Sequence, residues 1–317
     1  MQLTGANASL RVGFETTFGT PATTMYEMPF IVTSADFNTT QELQQSEENT
    51  GKRSEGQGFL GNKNGQGSLT VPLRGNSFGF WMKAALGNAT PVNNGDGTFT
   101  HTFTINNTVL PSLTIEVAHL DKANTFYRHV GFKVNTAEIA LGGDGELVMT
   151  LSFVGQDSTS ETTQVAVPDT SLKSGVKYQN FDNVVSGIAS ASDVRNYTVN
   201  ISNDLDESSY TVNKQGARND IPHGFAPVTG NLEANFTGDG LNVSSAGFIT
   251  ESLVSTLTSG TESIVITVNE LKLDKIIGQP ISSAQGILTN LNWRAFHENG
   301  AVESSIIVEL TNTIAAY

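Results

Sequence analysis

The chain has 317 residues, 38% of them hydrophobic and 15% charged, a formal net charge of −14 at pH 7, and no cysteine. That composition excludes a disordered tail and a coiled coil, and the missing thiols exclude a disulfide framework, a cysteine nucleophile, and zinc–thiolate or iron–sulfur sites. With 17 basic residues against 31 acidic ones, a groove that grips phosphates by releasing counterions is excluded as well.

The amino end, Met1-Gln2-Leu3-Thr4-Gly5, lacks the cationic start and apolar run of a secretory signal, so synthesis in a cytosol is expected. No apolar stretch is long enough to cross a bilayer. A polar segment, 41–66, carries Gly51-Lys52-Arg53-Ser54-Glu55 and precedes a strand that begins Gly67-Ser68-Leu69-Thr70-Val71. The next segment reads as a helix: Ser77 is a plausible N-cap, Phe78, Trp81, Met82, Ala85 and Leu86 form a stripe, and Gly87 ends it. The stripe reads as core packing rather than a cofactor box.

Period-two alternation then takes over. Phe99, His101, Phe103 and Ile105 share one face over 98–105, with four threonines on the other. His101 reads as a satisfied core histidine. The turn before it, Asn93-Asn94-Gly95-Asp96-Gly97, supplies hairpin residues; as a calcium loop it lacks the full set of spaced carboxylates. Leu113, Ile115 and Val117 point inward against Ser112, Thr114 and Glu116, and Leu147, Met149, Leu151 and Phe153 repeat the pattern. Residues 157–163 read as a solvated linker. Beyond it, Tyr197, Val199 and Ile201 alternate with polar residues, a second long polar loop covers 203–227, and Leu232, Ala234 and Phe236 form another strand. Ser244 or Ser245 is expected to cap a second helix with Ala246, Ile249, Leu253 and Leu257 on one face.

These features occur twice. Gly67 and Gly230 each start a strand that leads to a helix, 163 residues apart (230 − 67). Apolar strands follow at 112–117 and 263–268, and Gly145 and Gly131 match Gly300 and Gly286 at a spacing of 155 (300 − 145). Gly51-Lys52-Arg53-Ser54-Glu55 corresponds to Gly216-Ala217-Arg218-Asn219-Asp220. An internal duplication is therefore expected, with a first domain over 1–160, a linker over 161–175 and a second domain over 176–317.

The run Gly13-Phe14-Glu15-Thr16-Thr17-Phe18-Gly19-Thr20-Pro21-Ala22 resembles the opening of the two-domain tail tube proteins of siphophages, whose tails are long and non-contractile. The similarity continues through the Gly-rich loop over 51–67, the helix over 78–87 and the segment 126–141. It covers most of the first half and the second half in outline. The resemblance implies a mainly β fold: two tandem tail-tube-like β-sandwich or half-barrel domains, each with one short flanking α-helix and long loops. It further implies a structural virion protein, without enzymatic activity, cofactor or membrane association, located in the phage tail after synthesis in the host cytoplasm. Its partners would be copies of itself, in a ring stacked into a tube, with a trimer of pseudo-sixfold symmetry favoured over a hexamer. The tape measure protein and terminator or tip proteins would be further partners, and DNA would pass the lumen during genome ejection without specific binding.

On this basis the two polar loops become candidate contacts between rings, through Glu47, Glu48, Lys52 and Arg53 in one, and Asp206, Glu207, Lys214 and Arg218 in the other. Loops of that length in compact domains are usually functional or disordered. The polar strand faces suit a water-filled wall, on which net negative charge would repel phosphates. The competing reading is another structural β protein, such as a terminator, a baseplate ring or a surface adhesin. No nucleophile elbow, phosphate loop, dinucleotide fingerprint or metal-ligand cluster points to an enzyme; a glycosidase-type carboxylate pair stays open in a chain this acidic.

Overall fold

A computed structural model of the chain describes residues 4–105, 109–122, 124–238, 240–276, 278, 286–297 and 304–317. The expected turn at Asn299-Gly300 lies outside the described residues. Strands β1 (Ala8–Phe14), β2 (Tyr26–Met28), β3 (Asp36–Gln44) and β4 (Phe59–Pro72) lead into helix α1 (Gly75–Leu86). They are followed by β5 (Pro91–Asn93), β6 (Phe99–Thr104), β7 (Leu113–His119), β8 (Phe126–Gly142), β9 (Val148–Gly155) and β10 (Asp157–Glu161). The rest of the chain forms β11 (Asn183–Ser186), β12 (Val194–Ser202), β13 (Val228–Asn235), α2 (Gly240–Gly247), β14 (Glu251–Ser259), β15 (Glu262–Leu273), β16 (Leu288–Ala295) and β17 (Ile306–Asn312). The fold is mainly β and antiparallel.

One sheet runs β3-β4-β9-β8-β12-β13-β16. Its strand β8 is long enough to serve two sheets. The first half of β8 lies between β7 and β10, with β1 and then β2 beyond β7. Strand β15 does the same: Leu271–Leu273 pair with β16, while its earlier residues lie between β14 and β17. Strand β11 flanks β14, and β6 and β5 continue outward from β17.

The pairing scheme of the first half is thus repeated in the second. The order β3-β4-β9-β8, with β7 and β10 about the start of β8, returns as β12-β13-β16-β15, with β14 and β17 about the start of β15. Strands β4 and β13 and the two helices correspond as their spacing suggested. The later correspondence is one strand off: 112–117 lies on β7, whose counterpart is β14, whereas 263–268 lies on β15, the counterpart of β8. The β5–β6 hairpin is an addition to the first half, so counting strands onward from the helix loses step. The halves are not separate bodies of packing. β8 pairs with β12, β6 pairs with β17, and one hydrophobic core holds Leu69, Trp81 and Phe153 together with Val199, Ile266 and Trp293.

Four local expectations are corrected. Helix α1 begins at Gly75 with Arg74 as N-cap, and Ser77 is buried in its first turn. Every residue of α1 except Lys83 is buried, because the helix packs against β8 on one side and β6, β15 and β17 on the other; it is a core helix, not one with a solvent face. The second helix ends at Gly247, and Leu253 and Leu257 are buried on β14 with Ser255 between them. A spacing of four fits a strand face as well as a helix face, and the β-branched Val254, Thr256 and Thr258 favour the strand. Residues 157–161 of the expected linker form β10 against Phe126–Val130. Finally, the polar side of β7 is not wet: Thr114 and Glu116 are fully buried.

Candidate assembly surfaces

Three surfaces meet the description of an assembling β protein: the outer face of the seven-stranded sheet, the open edge of β3, and the two polar loops. The outer face follows from the pleat, which sends alternate side chains to opposite sides. Leu69, Met149, Ile139, Val199 and Leu232 go to the core. Their neighbours form cross-strand rows on the other side. One row is Thr70, Thr150, Glu138, Asn200, Thr229 and Arg294; another is Asp36, Ser68, Ser152, Thr136 and Ser202. Hydroxyls and amides bond along such rows from strand to strand: Thr136 and Ser152 lie 2.6 Å apart, Thr70 and Thr150 3.3 Å, and Thr198 donates to Asn231 at 3.1 Å. The face runs without a break across both halves.

Strand β3 has β4 on one side and, among the described residues, no strand paired on the other. Its counterpart β12 uses the same side to pair with β8 from Asn196↔Gly142 to Ser202↔Thr136. A row of free N–H and C=O groups recruits another chain unless something covers it, so β3 is an open joint.

The loops differ in what they expose. Glu47, Glu48, Lys52 and Arg53 are all exposed, as are Asp206, Glu207 and Lys214. Arg218 is not, and as a surface contact it is corrected. It is 1% exposed. Its guanidinium donates to the Gly155 carbonyl (2.7 Å), Asn64 Oδ1 (2.7 Å) and the Glu207 carbonyl (2.8 Å), and it lies over the Tyr210 ring. The Lys63 N–H donates to the Gly216 carbonyl and the Tyr210 hydroxyl to the Lys63 carbonyl. The structure therefore brings the 203–227 loop onto the base of the β3–β4 hairpin, an intrachain lock that composition alone hid. A second tie in the lock is Asp220, which accepts from Lys133 Nζ at 2.8 Å. The 45–58 loop has no such seat.

Buried polar groups elsewhere are structural. Glu116 takes Arg11 at 3.2 Å and Arg128 at 3.4 Å, and accepts from the Val165 N–H at 3.0 Å. Arg128 also donates to the Thr163 carbonyl and Arg11 to Gln164, so this ionic node pins 163–165 to the sheet. Glu15 accepts from the Gly131 and Gly19 N–H groups and from Ser112 and Thr114, and burial still raises its carboxyl above the ordinary value. His101 is buried with Nε2 2.8 Å from the Ile314 carbonyl, as a core histidine should be. His129 is buried between Phe37 and Phe132, and burial lowers it to about 4. Asp96 caps its own turn by accepting from the Thr98 N–H and hydroxyl.

Among the described residues there is no cluster of three or more potential metal ligands and no helix long and apolar enough to cross a membrane. No curated protein matches the chain. A family model described as phage tail tube protein matches residues 5–295, nearly the whole length described above. The chain belongs to the phage tail tube protein family, a structural component of the virion tail.

Proposed function

We propose that this protein is the major tail tube subunit of a long, non-contractile tail, and that its copies form stacked rings around a channel that conducts DNA during genome ejection. The carrying observation is the unbroken polar face of the seven-stranded sheet, repeated over two units and ending at the open edge of β3. The units span 1–160 and 176–317, joined by 161–175, and each contributes four strands, the last being the end of β15. Three chains then supply 24 strands. At about 4.8 Å per strand and a tilt near 40°, that closes a cylinder roughly 40–50 Å across. The polar face lines the channel, and the core and the other sheets lie outside it.

Charge on that face is sparse. Asp36, Glu138 and Glu233 stand against Arg294 and its cross-strand neighbour Lys272, and Arg195 lies 3.5 Å from Glu233. A wall of hydroxyls and amides with a few scattered charges of both signs offers no basic cluster to hold phosphate by counterion release. The exposed residues Glu47, Glu48, Lys52, Arg53, Asp206, Glu207 and Lys214 serve contacts between copies, and the tape measure, terminator and tip proteins are the tail partners.

Electron microscopy of the purified chain should show tubes of uniform bore. Single rings would point to a terminator, and monomers at every concentration would reject the assembly. Replacing Thr150 and Asn200 with lysine should slow DNA ejection from reconstituted tails; normal ejection would remove the polar face from the channel.

A further inference from the structure

The seam inside one chain shows how one half holds the next, and the same grip is left unused at the other end. The β3–β4 hairpin and the β12–β13 connection are the same element. Gln44 pairs with Phe59 in the first, and the Asp206 N–H donates to the Pro222 carbonyl at 2.9 Å at the matching place in the second. The loops beyond these pairs, 45–58 and 207–221, are nearly equal in length. Each contains a glycine with positive φ, Gly51 at 70° and Gly216 at 82°, two residues before an arginine and four before an acid.

The second loop is docked on the first half. Arg218 binds the Gly155 carbonyl and Asn64, and Asp220 meets Lys133, which also donates to the Ile221 carbonyl at 2.9 Å. Register locates the corresponding seat in the second half. Gly65 pairs with Gly155 and Val228 with Ala295, so Ala295 stands where Gly155 does. Lys133 pairs with Val154 and Lys272 with Arg294, so Lys272 stands where Lys133 does.

At that seat the surface is hollow. A cavity of about 420 Å³ is lined there by Phe225, Pro227, Ala295, Phe296 and Arg294, the last standing where Val154 does at the first seat, with Lys272 paired to Arg294 at its border. Phe225 is 91% exposed, and Phe296 is exposed beside it. Lys272 lies over the Phe248 ring, and no carboxylate among the described residues pairs with it. The first loop, meanwhile, is exposed from Glu47 to Glu55, and a Cβ at Gly51 would meet open space where one at Gly216 would lie 3.4 Å from the Asn62 backbone.

We propose that the 45–58 loop of one copy occupies this cavity on the second half of a neighbouring copy, with Arg53 in the position Arg218 takes within the chain and Glu55 against Lys272. The proposal rests on the ring reading above and refines it: this loop joins neighbours around one ring, rather than one ring to the next. Guanidinium-to-carbonyl bonds and an acid–lysine pair complement the seat as they do inside the chain. The apolar rim of Phe225 and Phe296 is covered in the same step.

The test uses the full chain. Arg53→Ala and Glu55→Lys should each raise the concentration needed for half assembly about tenfold or more, with the monomer's melting temperature unchanged. Lys272→Glu should do the same, and the Glu55→Lys/Lys272→Glu pair should recover assembly. Zero-length carbodiimide coupling of wild-type assemblies should join Glu55 to Lys272 between chains, whether or not a variant folds. Rings that form normally from Arg53→Ala, or assemblies without that coupled peptide, overturn the seat and leave the ring standing. Wild-type protein that never assembles overturns both.

Discussion

Replacing Arg218 by alanine should unfold the lock between the 203–227 loop and the first half, at a cost that can be worked from its contacts. The guanidinium makes three hydrogen bonds at 2.7–2.8 Å while 1% exposed. Bonds to a charged group contribute about 1.5–3 kcal/mol each, and truncation also strands the Gly155 carbonyl and Asn64 Oδ1 away from water. Desolvation of the arginine offsets part of this, so the net loss should be about 3–5 kcal/mol, the usual range for breaking a buried charged contact. Against a total stability of about 5–15 kcal/mol that is a large fraction. Urea unfolding followed by the fluorescence of the buried Trp81 and Trp293 would measure it, on protein kept below its assembly concentration. Arg218→Lys should recover only part of the loss, because an ammonium cannot reproduce the planar fork. Arg53→Ala, at an exposed position in the single chain, should shift the curve by no more than about 0.5 kcal/mol. A loss below about 1 kcal/mol for Arg218→Ala would refute the lock.

Burial lowers His129 from 6.5 to about 4, so the folded state rejects a proton that the unfolded chain accepts. Its contribution should be complete above pH 6.5 and decline by about 3 kcal/mol as the pH falls to 4; His129→Gln should flatten that part of a stability-versus-pH curve measured by denaturant titration. Glu116→Gln removes the buried carboxylate that Arg11 and Arg128 share, leaving Arg128 with Glu161 at 3.8 Å and Arg11 with Gln164, and should destabilise by about 3 kcal/mol. It should also free 163–165, read as faster limited proteolysis within 161–175. At Gly131, with φ of 67°, a Cβ would lie 2.7 Å from that of Gln156, and Gly131→Ala should cost roughly 2–4 kcal/mol by thermal denaturation.

Much of the sheet was legible because its strands alternate over a single wet face. Thr150 and Thr198 mark the outside as clearly as Leu151 and Val199 mark the core. The exceptions have physical causes. Leu253 and Leu257 obey both periods, so the helical pattern runs on into a strand. Glu116 looks like a solvent residue until Arg11 and Arg128, 105 and 12 positions away, neutralise it in the interior. Asp157-Ser158-Thr159 reads as linker because an edge strand needs no apolar side chains, only a neighbour for its backbone. Arg218 could have been separated from Arg53 by its setting: Ala217 and Ile221 beside it are apolar and buried, whereas Lys52 and Ser54 are polar and exposed. The seam between β8 and β12 had no local signal, since it depends on where two distant edges meet.

Strand β6 pairs with its hairpin neighbour β5 at once, but its other edge waits for β17, about two hundred residues later. At a synthesis rate of about 5–20 residues per second, the gap lasts roughly 10–40 s. Until then the nascent polypeptide keeps the layer beneath α1 unfinished, and the helix lacks one of its walls. A ribosome-bound fragment therefore cannot present a completed building block, and in the assembly proposed above polymerisation would wait for finished, released molecules. Truncated products of failed translation should be excluded from the growing tail for the same reason.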